Sequence, residues 1–354
     1  MKAALPPVRI LVLTLTGRCN FACRYCYASG QEESDLSRED ALAALREAGR
    51  SGERFILQFS GGEPLLMFPL IREVVREVEK EGYAAQMQIQ TNGSLLTRSI
   101  ARWLYDHHVG IGLSLDGKPS VNDRQRLSRD GSSAAAGAVR GFEALRAEGI
   151  AAGLTCVVTS ENADRLDSVV DMAYFLGNVH QIGFDILREQ GRGTGMEAPG
   201  GEAMKAALLK VRRRMRLLEG MTGRKVALTQ AARPEEIART GCYDFPQCYA
   251  MRGEALYVDV HGRFYACSSL MGNPAFQIGD ARRGRDPEQV HEAARRIHEA
   301  MEACRRCPWF TRCGGGCFSR WYRKDQTVQK TDSECVMKQY FISSMPPSGG
   351  SRGE

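Results

Sequence analysis

The sequence predicts an α/β protein, a partial (β/α)6 TIM-like barrel followed by a small cysteine-rich unit. Three observations carry this. Short β-rich runs alternate with helix-length segments over the first 190 residues. The runs are apolar on both sides, as expected of parallel strands covered by helices. Eight of the twelve cysteines lie in the last third of the 354-residue chain.

In chain order, strand-like runs are Arg9 to Thr16, Phe55 to Ser60, Gln86 to Thr91, Gly110 to Asp116, Gly153 to Thr159 and Val179 to Leu187. Helical segments between them are Arg38 to Ala48, Pro69 to Glu81, Thr97 to His107, Ser133 to Glu148 and Ala163 to Leu176. Ser37 stands three before Asp40, Asn162 precedes its helix, and Pro69 suits a first helical turn. Six such units make an open version of the eight-unit barrel, in which functional groups gather where strands end. Four consecutive strands here do end in polar or glycine-rich motifs. After the first comes Cys19-x3-Cys23-x2-Cys26; after the second, Ser60-Gly61-Gly62-Glu63-Pro64; after the third, Thr91-Asn92-Gly93; at the fourth, Ser114-Leu115-Asp116-Gly117.

The cysteines divide into that triplet and a later group: Cys242, Cys248, Cys267, Cys304, Cys307, Cys313, Cys317 and Cys335. A four-iron cluster takes four cysteine ligands, so three and eight are the counts for one incompletely ligated cluster and two complete ones. The incomplete set leaves an iron open to a small molecule, as catalytic zinc sites leave a position free. Disulfides are the competing reading, but Met1 to Pro7 lacks the basic start and apolar stretch of a secretory signal. Reduced, clustered cysteines more often bind metal or catalyse. Structural zinc competes harder: Cys304-x2-Cys307 alone fits half a zinc ribbon, and a zinc-stabilised binding protein is the non-enzymatic alternative. The triplet, by contrast, has no fourth Cys or His near it in sequence to close a tetrahedral site.

With the triplet and the Gly61-Gly62-Glu63-Pro64 motif together, residues 8 to 190 resemble the radical S-adenosylmethionine (SAM) superfamily. The resemblance implies that Cys19, Cys23 and Cys26 hold three irons of a [4Fe-4S] cluster, whose fourth is chelated by SAM. One electron then splits a carbon–sulfur bond of SAM, giving a 5′-deoxyadenosyl radical that removes hydrogen from an inert C–H bond. It further implies that Gly61 to Pro64 holds the SAM amino group, with Glu63 as acceptor or loop organiser. Ser114 would contact the cofactor, Arg126 would meet its carboxylate, Tyr25 would lie near adenine, and Leu187 would line the adenine pocket. Glycines at 61 and 62 permit close backbone approach. Packing is the alternative for Tyr25 and Leu187, and a surface arginine the alternative for Arg126.

Residues 241 to 340 resemble the SPASM domain: Cys248, thirteen residues to Gly262, four more to Cys267, then C-x2-C-x5-C-x3-C from Cys304 to Cys317, and Cys335. By that resemblance Cys242, Cys248, Cys267 and Cys317 hold one auxiliary [4Fe-4S] cluster, and Cys304, Cys307, Cys313 and Cys335 a second, making three with the first. Gly314 to Gly316 would permit the turn between ligands of different clusters. Cys156 is left over as a small buried residue. The implied function is modification of a ribosomally synthesised peptide, through thioether, carbon–carbon crosslink or epimerisation chemistry. Sulfatase maturation or small-molecule modification is the alternative. Ser60 stands where sulfatase-maturating enzymes resemble one another in having glutamine, and Ser268 where they place an aspartate base; Asp280 is distant in sequence.

Composition fits one large enzyme, cytoplasmic and soluble, with no stretch approaching the roughly 20 apolar residues needed to cross a bilayer. The formal charge is +6. Eleven ligating thiolates on three clusters would add about five negative charges, which removes the basic balance as an argument for nucleic acid. Lys210 to Arg216 reads as the solvated side of a helix. The expected organisation is residues 1–195 barrel, 196–240 bridging helix or linker, 241–345 SPASM domain and 346–354 disordered tail. Gly191 to Gly201 is expected as a mobile connection. The expected partners are a peptide or protein substrate and an external electron donor of flavodoxin or ferredoxin type. The first strand begins near Arg9, so leader recognition would fall to a separate protein, to the second domain's surface or to the loop region Gly191 to Gly201.

Overall fold

The computed structural model describes residues 4–28, 32–241, 245–323 and 325–345. Its barrel half runs β1 (Ile10–Thr14), α1 (Arg38–Gly49), β2 (Phe55–Ser60), α2 (Phe68–Glu81), β3 (Ala85–Thr91), α3 (Arg98–Asp106), β4 (Gly110–Ser114), α4 (Pro119–Gln125), α5 (Ala134–Ala147), β5 (Ala152–Val158), α6 (Asp167–Leu176) and β6 (Val179–Ile186). Next come α7 (Gly201–Thr222), β7 (Ala227–Leu228), α8 (Thr229–Thr240), β8 (Ala255–Val258), β9 (Arg263–Tyr265), β10 (Gln277–Asp280), β11 (Gly284–Arg285), α9 (Pro287–Ala300), α10 (Glu302–Arg305), α11 (Phe310–Cys313), α12 (Phe318–Trp321) and α13 (Asp332–Ser343).

Alternation along the strands sets the two faces. In β2, Phe55, Leu57 and Phe59 are fully buried in the helix-covered core, whereas Ile56, Gln58 and Ser60 take the concave side and are only half-buried. Caps delimit the helices: the Ser37, Thr97 and Ser133 hydroxyls accept from backbone N–H groups of the first turns of α1, α3 and α5. Gly82 closes α2 in the left-handed conformation at φ 67°.

Two local expectations change. Asn162 does not cap a helix from Ala163. Its side chain accepts from Thr159 N at 2.9 Å and donates to Val157 O at 2.8 Å, and a 3-10 turn over Ala163–Arg165 precedes α6. The seven-residue α4, started by Pro119, was absent from the sequence reading.

The strands form one sheet in the order β11-β10-β9-β8-β1-β2-β3-β4-β5-β6-β7. The sheet therefore does not stop at the barrel's first strand. β1 is parallel to β2 on one side, with Ile10 opposite Ile56, and parallel to β8 on the other, with Ile10 opposite Ala255. From β8 to β11 the pairing is antiparallel. The cysteine-rich segment is joined to the barrel edge by a hydrogen-bond ladder as well as by side-chain packing.

Candidate active site

Cys19, Cys23 and Cys26 lie on the loop between β1 and α1. Main-chain bonds fix that loop to the end of α4: Ala22 N donates to Leu127 O at 2.7 Å and Arg24 N to Gln125 O at 2.8 Å. The Gly191 to Gly201 stretch is not a free connector. Arg192 donates from its backbone N to Cys26 O (3.0 Å) and from Nε to Cys23 O (2.8 Å), and Gly193 lies where a Cβ would come 3.2 Å from Tyr25 O.

All three thiols line one cavity of about 370 Å³, shared with Tyr25, Gly61, Gly62, Ser114 and Arg126. Gly62 passes so close to the cysteine loop that a Cβ would fall 2.1 Å from Arg18 O and 3.0 Å from Cys19 Cβ. Gly61, at φ 136°, would put one 2.5 Å from Thr16 O. These glycines let the loop after β2 sit on the loop after β1, closing one side of the cavity. Glu63 faces away from the cavity and is 1% exposed. Its carboxylate accepts from Leu65 N (3.1 Å), Thr91 Oγ1 (2.5 Å) and Asn92 N (2.8 Å), tying the ends of β2 and β3 together. Burial pushes its pKa up, against the lowering by those three donors. Pro64 is buried as the first residue of a 3-10 turn.

Asp116, to which the sequence reading gave no role, is fully buried and organises the opposite wall. One oxygen accepts from Val157 N at 2.9 Å. The other accepts from the Tyr25 hydroxyl in a short bond and pairs with Arg126 Nε at 3.2 Å. The Arg126 guanidinium also stands 5.6 Å from the centre of the Tyr25 ring. Arg126 is thus a buried wall residue, 7% exposed, rather than a surface arginine. The Ser114 hydroxyl is held by Gln90 Nε2 at 2.9 Å. Leu187 is not brought to the cavity. It is buried, lying next to Gly193, and its neighbour Ile186 lines the wall instead.

Three thiols, two glycine-made close approaches and a buried cation around one space fit a thiolate-ligated cluster with an anionic companion. Burial holds Cys19 up at about 11 and raises Cys23, which favours the protonated form of these two thiols, whose protons metal binding would displace. Among the described residues, no three Cys, His, Asp or Glu groups converge tightly enough for a single ion. The thiols surround a space rather than a point.

Arg188, Tyr257 and Ser268 separate this cavity from a second of about 380 Å³, lined in part by Cys248, Cys267, Cys313 and Cys317. Cys317 lies close enough to Cys248 and Cys267 for its charge to add to the raising of both by burial, and Cys248 is pushed up to about 12. Cys304, Cys313 and Cys335 form another such set, burial and then neighbouring charges raising Cys335 to about 12. Cys307 follows in the same short turn, its N donating to Cys304 O at 3.0 Å. Cys242 and the 346–354 tail lie outside the described residues. Gly314 and Gly315 have φ of 70° and 84°, and the Gly315 carbonyl accepts from Gln247 and Lys338. Cys156 is fully buried in β5. Arg320 bridges the two halves: it meets Asp185 of β6 at 2.6 Å and the fully buried Glu334 of α13 at 2.7 Å. Burial works against both carboxylates, but the paired cations hold each at about 2.

This fold and thiol loop define a radical SAM protein. Residues 13–173 match the model of the Radical SAM superfamily, and this part of the chain is a radical SAM domain. It is 28% identical to mycofactocin maturase MftC of Mycobacterium ulcerans over 92% of this chain and 87% of that protein. It is 29% identical to the serine-type anaerobic sulfatase-maturating enzyme of Klebsiella aerogenes, over 52% of this chain. The match spans about half the length (48%) of that relative. In fold it superposes on anSMEcpe with bound AdoMet and Kp18Cys peptide at a TM-score of 0.78, with 20% identity and 96% of each chain covered. SAM and a [4Fe-4S] cluster are the cofactors of the family. Among the described residues no helix is long and apolar enough to cross a membrane.

Proposed function

We propose that this protein is a peptide-modifying radical SAM enzyme of the SPASM maturase type, working in the cytoplasm with one SAM-binding and two auxiliary [4Fe-4S] clusters. The observation that carries the reading is the single cavity ringed by Cys19, Cys23, Cys26, Gly61, Gly62, Ser114 and Arg126. When bound, a cluster with SAM supplies a carbon radical able to remove hydrogen from an unactivated C–H bond. The chain's own contribution is position and exclusion. Cys19, Cys23 and Cys26 present three thiolates and leave the fourth side to SAM. Arg126, kept cationic and aimed by Asp116, would meet the SAM carboxylate. The backbone at Gly61 and Gly62 and the Ser114 hydroxyl would hold the remaining polar groups of SAM, and Tyr25 closes the wall.

Cys248, Cys267 and Cys317, with Cys242, are the ligands of one auxiliary cluster. Cys304, Cys307, Cys313 and Cys335 are those of the other, a division supported by the closeness of Cys317 to Cys248 and of Cys304 and Cys313 to Cys335. A peptide substrate is supported by maturase relatives such as MftC and by the fold shared with a peptide-bound neighbour. Maturation of a ribosomally synthesised peptide is favoured over sulfatase maturation because Ser268, a hydroxyl and not a carboxylate, faces the cavity. Asp280 instead accepts from Arg282 N and Arg283 N in the turn between β10 and β11. An external one-electron donor of flavodoxin or ferredoxin type and a separate leader-binding protein complete the system.

The test is anaerobic reconstitution with iron, sulfide, reductant and SAM, measuring 5′-deoxyadenosine and iron. The wild type should bind about twelve irons, and the variant with Cys19, Cys23 and Cys26 all changed to alanine about eight, with no 5′-deoxyadenosine. Undiminished cleavage by that variant would refute the assignment.

A further inference from the structure

A closed barrel fills its interior with bulky branched side chains. Here the concave face of β2 to β6 carries amides and glycines. A third cavity, of about 580 Å³, runs along this face, joined to the thiol cavity through Gln58, Gln90, Thr155 and Asp185. Its lining includes Gln86, Gln88 and Gln181. The glycines make room for the amides: at Gly112 a Cβ would lie 2.5 Å from Gln90 Oε1, and at Gly153 3.3 Å from Gln181 Nε2.

The amides are only partly used by the protein. Gln88 Nε2 donates to Gln58 Oε1 at 2.9 Å, and each side chain retains further hydrogen-bonding capacity. Gln230, on the same wall, donates to Phe184 O at 2.7 Å, while its buried Oε1 has no hydrogen-bond partner. A buried acceptor left open faces a desolvation cost unless a ligand N–H meets it. Charge on the wall is already matched: Asp185 is paired with Arg188 and Arg320, each at 2.6 Å. His180 is the other titratable group, at the exposed end.

We propose that this trough holds the substrate segment flanking the modified residue in extended form, through its backbone amides, and selects uncharged flanking side chains. The inference rests on the peptide-substrate reading above. Each glutamine offers the donor and acceptor that a peptide group requires, whereas an unpaired charge on the ligand would be desolvated without compensation. From Gln86 to Gln90 the strand rises about 13 Å, room for about four extended residues.

The test uses the cluster-loaded protein with SAM, incubated anaerobically with a pooled library of N-acetylated, C-amidated heptapeptides randomised at every position. Retained peptides are sequenced by mass spectrometry. Asp, Glu, Lys and Arg should be depleted about tenfold relative to Asn, Gln, Ser and Gly. Gln88→Glu should restore Lys and Arg, and Gln88→Lys should restore Asp and Glu, in variants with wild-type iron content and circular dichroism. Retention of charged peptides at their input frequency, or the same retained set from both variants, overturns the proposal. If the wild type retains no peptide above background, the peptide-substrate reading fails, and the trough loses its ligand with it.

Discussion

Replacing Glu63 by glutamine alters neither the thiols nor any atom lining the SAM cavity, yet the structure predicts a large loss of SAM binding. The Glu63 carboxylate receives three donors, two of them main-chain N–H groups, from both strand-end loops. An amide presents one oxygen and one NH2, so one side of the group must turn its own donors toward a buried donor. Leaving such a group unsatisfied costs about 1–3 kcal/mol. Gly62 N donates to Thr16 O at 2.8 Å and Glu63 N to Arg18 O at 2.9 Å, so displacing the Glu63 anchor displaces the cavity wall. At about 1.4 kcal/mol per tenfold, SAM affinity should fall by about 5- to 150-fold. Anaerobic equilibrium dialysis with labelled SAM measures this, with iron content as the control for loading. Binding within twofold of wild type, at wild-type iron content, would refute the role given to Glu63.

Three further outcomes follow from the same geometry. Cys156→Ala, in the core of β5, should leave iron content and 5′-deoxyadenosine formation unchanged while lowering stability by about 1 kcal/mol; a loss of iron would make it a ligand. Arg320→Met should cost about 3–5 kcal/mol, because Glu334 stays buried with a partner removed. Limited proteolysis should then cut between barrel and cysteine-rich segment faster than in wild type. Gly62→Ala should prevent loading of the SAM-binding cluster while leaving the auxiliary iron, because the obstructing atoms are backbone, at 2.1 Å and 2.6 Å; iron analysis reporting about twelve would contradict this.

Much of the barrel was legible because its signals are local. The Phe55–Ser60 strand has the expected bounds, and the Ser37 cap starts α1 at Arg38 as its spacing requires. What escaped the sequence depended on distant partners. The pairing of β1 with β8 joins residues more than two hundred positions apart, and no periodicity in either strand encodes it. Asp116 reads only as the end of a strand-like run; the fold alone shows Tyr25 and Arg126 converging on it. Leu187 and Ile186 differ by one position, and one position at a strand end decides which side chain reaches the lumen. The glutamines lie within runs that read as apolar on both sides, and their common face emerges only when five strands are set side by side.

The pairing of β1 between β2 and β8 has a consequence for how the chain is born. At about 5–20 residues per second, translation needs roughly 10 to 50 s to pass from the first strand to its second neighbour. Throughout that interval the nascent barrel carries an open flank, and its thiol loop hangs beside it. The last third of the polypeptide acts as a late-arriving clasp, which gives iron delivery a natural window before the edge is sealed.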